Sequence, residues 1–166
     1  MRPDWRLAGL AFVLSASAAV AETRIDRWPA RDEPVEDYQR AIELFEQGER
    51  QVATCLFYRG QFRARLYLAA RPGLPPDGAP ALYASLNDVV GSEINLWAAG
   101  DVEDWAEAMD CALSWAETAD DPVTPRAVHG AEYDRVAAGL RDLISHVRAN
   151  AAQIRAERTA RGLENR

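Results

Sequence analysis

Two arginines four residues apart are the side chains of this chain best suited to grip a ligand. Arg59 and Arg63 share one face of a largely apolar helical segment, in a chain whose formal net charge is −7. A buried guanidinium requires either a carboxylate or a ligand anion as its partner. One hypothesis is therefore a small-anion site in which both arginines hold a carboxylate or phosphate. The alternative, which we favour, is an internal ion pair with Glu93 or Asp88 as candidate partners.

Glu93 and Asn95 form a second candidate ligand-binding pair. They follow Gly91, where we expect a break in the helix to expose polar groups beside Trp97. A general-acid glutamate against an aromatic ring is an arrangement that glycan-cleaving enzymes use, so a peptidoglycan or glycan hydrolase is a further hypothesis. The simpler interpretation makes Glu93 a capping residue in a first helical turn, with Asn95 exposed and Trp97 in the core.

The remaining chemistry-bearing residues indicate neither a metal site nor a cofactor. His129 and His146 each lie near a carboxylate at helical spacing, but further ligands are missing, so ion pairing and capping explain both. The chain contains no lysine, which excludes Schiff-base chemistry and a phosphate-loop lysine. We also find no nucleophile constellation, and therefore predict a non-enzymatic protein without metal or cofactor.

The two cysteines, Cys55 and Cys111, have two possible states. In an exported protein they can form a disulfide, which would close a loop of about 57 residues and stabilise the fold by about 4 kcal/mol. They can equally be separate buried thiols, because free cysteine packs well as a small apolar side chain.

The N-terminus predicts export. Residues 1–21 combine two arginines, an apolar run and the Ala19-Val20-Ala21 site of a signal peptidase, and the apolar run is too short for a membrane anchor. We therefore expect a periplasmic or secreted protein without a stable membrane anchor. The acidic net charge argues against a nucleic-acid partner, which leaves a periplasmic protein or an envelope component.

Helices must position all of these residues, because the apolar residues recur at spacings of three and four and no segment alternates as a strand does. The pattern predicts an all-α fold, an irregular bundle of four to six helices in a single domain. We expect a linker over 22–33, the helical domain over 34–154 and an exposed, fraying end over 155–166. A nearly all-apolar second helix over 49–70 should be central, and a third helix should be interrupted at Gly91.

The most consistent function is a helical interaction module. Trp115 falls off the main apolar stripe of its helix, and acidic residues line the other side of that helix. We expect an exposed apolar patch to border Trp115 or the acidic face, which comprises Glu103, Glu107 and Asp110.

Overall fold

The computed structural model describes residues 25, 27–31 and 33–166, and these residues form helices and no strand. The predicted signal peptide, residues 1–21, lies outside the described residues. The all-α bundle is confirmed. Its helices are α1 (Val35–Glu46), α2 (Arg50–Ala69), α3 (Ala79–Ala98), α4 (Val102–Thr118), α5 (Arg126–Ala149) and α6 (Ala151–Ala160).

Helix α2 is the centre of the bundle, as its lack of a polar side predicts. Thirteen of its twenty residues are buried, and it packs against α1, α3, α4 and α5. A helix that is apolar all round loses its contact with water only when neighbours cover every side. Because α2 also carries Arg59 and Arg63, those neighbours must supply partners for two charges.

Two glycines let other elements approach closely. A Cβ atom at Gly60 would lie 3.1 Å from Asp37 Cβ, so this glycine sets the contact between α1 and α2. A Cβ atom at Gly91 would lie 2.9 Å from the ring of Phe57. The predicted helix break at Gly91 is wrong, since α3 runs through it without interruption. Gly91 provides space for an aromatic ring of α2 and does not end the helix.

Residues 155–166 are mostly exposed, as predicted, but they do not have the predicted fraying conformation. Helix α5 ends at Ala149, and α6 follows it with no buried residue. The tail then returns to the end of α3, where the Arg166 amide donates to the carbonyl oxygen of Gly100 at 2.7 Å. Arg158 and Arg166 side chains donate to the carbonyls of Leu96 and Trp97, both at 2.7 Å. The last turn of α3 contains no basic residue, and these two arginines supply donors to two of its carbonyl groups.

The structure joins Cys55 of α2 to Cys111 of α4 through a disulfide. Ile25 lies beside both cysteines and is only 5% exposed, and Trp28 packs against the same core. Within the predicted 22–33 linker, Ile25, Trp28 and Ala30 therefore pack against the bundle, whereas Arg27, Pro29, Arg31 and Glu33 are exposed.

Candidate functional site

Arg59 and Arg63 belong to a buried network of four charges. Each arginine is 1% exposed. Asp37 of α1 accepts hydrogen bonds from Arg59 Nη2 at 2.6 Å and Arg59 Nε at 3.1 Å, and from Arg63 Nη1 at 3.2 Å. Asp121, in the loop between α4 and α5, accepts from Arg63 Nε at 2.5 Å. Two carboxylates thus compensate two guanidinium groups inside the protein.

This network contradicts the two-arginine anion site. That hypothesis requires the arginines to meet a cavity without an internal carboxylate, and both meet Asp37. The internal ion pair is confirmed, but its partners are Asp37 and Asp121, where the sequence suggested Glu93 or Asp88. Burial lowers the pKa of Arg63, and the nearby Asp37 and Asp121 more than offset this effect, so the pKa is raised and the charge is retained.

Asp121 also organises the loop that holds it. Its Oδ1 atom accepts from the amides of Val123 at 2.8 Å and Thr124 at 2.9 Å. The Asp121 amide donates to the hydroxyl of Tyr133 at 2.8 Å. The same carboxylate therefore caps a turn and pairs with Arg63, which fixes the loop to α2.

Trp115 lies inside the protein, not in the exposed patch that we expected. It is 9% exposed, packs edge-on against Phe62 and carries the Arg59 guanidinium 5.4 Å from its ring centre. Trp115, Trp28 and Arg59 line a cavity of about 650 Å³. Because Asp37 compensates Arg59, this cavity does not present an unpaired cation.

The acidic residues of α4 are partly paired. Arg148 of α5 bridges Glu103 at 2.7 Å and Asp110 at 3.0 Å, and Glu107 is exposed. The hydrogen bonds that Arg148 donates to the Glu103 carboxylate are the main cause that raises the pKa of Arg148. No large apolar side chain is exposed on α4 in the described structure, so α4 does not carry the apolar patch that we expected beside Trp115 or this acidic face.

Glu93 and Asn95, the second candidate ligand-binding pair, have different surroundings in the structure. Glu93 is exposed in the middle of continuous α3, whereas the general acid of a glycan hydrolase lies in an apolar pocket. Asn95 is half-buried, and its Oδ1 accepts from the Tyr58 hydroxyl at 2.9 Å. That hydroxyl accepts from Trp105 Nε1 at 2.7 Å. Asn95 therefore links α3 to α2 and α4 through hydrogen bonds inside the bundle.

The outer face of α3 is the feature that sequence reasoning missed. Leu82, Val89 and Leu96 are 45%, 67% and 51% exposed, and they follow one another at intervals of seven residues. Seven residues are close to two helical turns, so the three side chains lie in one line along the helix. We call these three residues the α3 stripe. The spacing itself, and the presence of only two charges in this twenty-residue helix, are the sequence signals that could have revealed it.

A shallow groove continues the α3 stripe at its C-terminal end. Leu96 lines it together with Ile154 of α6 and Leu163 of the tail, and its volume is about 300 Å³. Arg158 lines the same groove while it caps the Leu96 carbonyl. The contacts that cap α3 therefore also shape the end of the exposed apolar surface.

Metal ligands do not cluster in this structure. Within residues 25, 27–31 and 33–166, no three histidine, cysteine, aspartate or glutamate side chains could together hold a metal ion. His129 Nδ1 lies 3.9 Å from Glu132 of the same helix, in the ion-pair geometry that the sequence suggested. Among the described helices, none has both the length and the apolar character needed to cross a bilayer.

Comparison of the chain with protein-family models, with curated proteins and with solved structures finds no match.

Proposed function

We propose that this chain is an exported, non-enzymatic interaction protein of the cell envelope, and that it binds its partner through the outer face of α3. The observation that carries the proposal is the α3 stripe. Three of the four large apolar side chains exposed in the described part of the chain belong to it. Exposed apolar residues gathered on one surface mark a binding site, whereas single ones are ordinary.

The composition of α3 supports the same proposal. Its only charged residues are Asp88 and Glu93, while α5 carries seven charged residues over a similar length. A surface poor in charge loses little when a partner displaces its water, and such depletion of charge is typical of the central part of an interface. The scarcity of charge on α3 therefore suits a face that a partner covers.

Export rests on two further observations. The sequence of residues 1–21 predicts a cleaved signal peptide, and the disulfide between Cys55 and Cys111 suits an oxidising compartment such as the periplasm. The partner is then a periplasmic protein or an envelope component. Mass measurement of the chain recovered from fractionated cells tests the localisation. We expect a periplasmic protein that begins at Glu22, and a full-length cytoplasmic chain would contradict export.

Crosslinking from a single position tests the binding surface. A photoreactive amino acid at Val89 should give a crosslinked product of discrete mass in cells that normally make the protein. Val128 is the matched control, because it is 74% exposed and lies at the start of α5, on a different helix from the α3 stripe. We expect no such product from Val128, and loss of the Val89 product when Leu82 and Leu96 are changed to aspartate. Identical products from both positions, or none from Val89, would refute the proposal.

A further inference from the structure

We infer that the partner segment on the α3 stripe is an amphipathic helix with basic residues on both sides of its apolar face. This inference rests on the proposed function and names the chemistry of the partner. It follows from the placement of charge around the stripe, from the spacing of the apolar residues and from the small residues between them.

Negative charge flanks the α3 stripe on both sides. At about 100° per residue, Leu82 and Leu96 each lie within about 20° of Val89 around the helix axis. Glu93 lies about 40° to one side of Val89, and Asp88 about 100° to the other. Both carboxylates are on exposed residues, and α3 has no basic residue. Beyond Ser92, Arg158 and Arg161 line the groove on the Asp88 side of the stripe. A partner with basic residues on both flanks therefore meets opposite charge where it faces Asp88 and Glu93, and its basic flank on the Asp88 side ends before that groove.

The spacing of the stripe favours a helical partner. Its apolar residues are separated by about 10.5 Å along the axis, which equals the repeat of a heptad in a second helix. Ser85 and Ser92 lie between them, are themselves seven residues apart and are exposed. These small side chains leave gaps between the larger ones, and apolar side chains of a partner helix can enter such gaps as knobs enter holes. An extended peptide presents side chains to one face at intervals near 7 Å, which does not match.

Charge also argues against a second copy of this chain as the occupant. Two copies that pair through α3 would each bring Asp88 and Glu93 to the contact, and each carries a formal net charge of −7. Like charges brought together weaken association, whereas a basic helix is attracted to the same surface.

Two synthetic helical peptides test the inference against the whole exported chain. Both carry the same leucine heptad face; one has lysines on its flanks and the other glutamates. By fluorescence anisotropy at fixed ionic strength, we expect the lysine-flanked peptide to bind at least tenfold more tightly. Changing Asp88→Asn together with Glu93→Gln should remove most of that preference.

The Val89→Asp variant separates binding on the stripe from general charge attraction. It makes the surface more negative, so simple attraction would strengthen binding of the lysine-flanked peptide. Occupation of the α3 stripe instead predicts at least tenfold weaker binding, with Val128→Asp unchanged. Stronger binding by Val89→Asp, or equal binding of both peptides, would overturn the inference.

Sedimentation and crosslinking separate the other outcomes. A dimer of the wild-type chain that Val89→Asp converts to a monomer would assign the stripe to a second copy and overturn the inference. A Val89 crosslink in cells combined with no charge preference for the peptides would reject only the basic helix. Absence of both the crosslink and any peptide binding would reject the proposed function as well.

Discussion

Replacing Asp37 with asparagine should break the buried charge network while changing the shape of the side chain very little. Asp37 is 4% exposed, and it receives three hydrogen bonds from Arg59 and Arg63. An asparagine retains one acceptor oxygen but presents an amide NH₂ group toward the guanidinium groups. Arg63 keeps its contact with Asp121, whereas both hydrogen bonds of Arg59 in this network lose their charged acceptor.

The cost of this substitution should be a large share of the folding free energy. Removing one partner of a buried ion pair costs about 3–5 kcal/mol, because a charge is left in a poorly solvating interior. A domain of this size has a total stability of about 5–15 kcal/mol. We therefore expect the Asp37→Asn variant to lose about 3 kcal/mol or more of its free energy of unfolding.

Urea denaturation followed by circular dichroism measures the difference. The control is Glu43→Gln, which breaks the pair between Glu43 and Arg40 on the solvent side of the same helix. Their side chains are 52% and 47% exposed, so we expect a change within about 0.5 kcal/mol. A loss below about 1 kcal/mol for Asp37→Asn would show that water or rearrangement solvates Arg59, and would refute the reasoning.

A second variant tests the cause of the loss. When Arg59→Met is added to Asp37→Asn, the uncompensated charge disappears and an apolar side chain of similar length replaces it. We expect the double variant to regain at least half of the lost stability, because apolar groups often replace a buried ion pair without cost. If the double variant is no more stable than Asp37→Asn, lost packing and not uncompensated charge causes the destabilisation.

Three further predictions address other parts of the bundle. In thermal unfolding, Gly91→Ala should lower the free energy of unfolding by about 1–3 kcal/mol, because the buried ring of Phe57 must move. The control is Gly139→Ala, where a Cβ atom meets nothing within 4 Å; it should leave the free energy of unfolding unchanged or raise it by up to about 1 kcal/mol. Reductant should lower the midpoint of urea unfolding, since opening the Cys55–Cys111 bond frees a long loop and costs up to about 4 kcal/mol; an unchanged midpoint would contradict this. Burial raises the pKa of Tyr58 to about 12. The stability that its neutral hydroxyl contributes is therefore complete below about pH 10 and is lost as the pH rises toward 12. In a titration of stability against pH, Tyr58→Phe should lessen this alkaline loss.

The sequence predicted those parts of the fold that depend on one helix at a time. The apolar character of α2 on every side correctly identified the central helix. Asp101 stands directly before α4, where aspartate is typical of a helix N-cap, and its side chain accepts from the amides of Glu103 and Asp104. In both cases the physical cause lies within a few neighbouring residues.

The sequence failed where the cause lies on another helix. Asp37 was not identified as the partner of Arg59, because 22 positions separate them in the chain and only the packing of α1 against α2 brings them together. Gly91 resembles a helix breaker until the Phe57 ring is placed over it. The side of α3 that faces the core also depends on neighbouring helices: Tyr83, Val90, Ile94 and Ala98 are among the residues buried there, whereas Leu82 and Val89 are exposed.

The disulfide turns the segment from Cys55 to Cys111 into a covalent ring, and all of α3 lies within it. The exposed loop between α2 and α3, over residues 71–78, belongs to the same ring. A protease that cuts this loop once opens the ring but releases no fragment, because the two pieces stay joined through sulfur. The nicked chain would run as one species without reductant and as two with it. Helix α3, which carries the stripe, therefore stays covalently attached to the rest of the protein after a cut in the loop that precedes it.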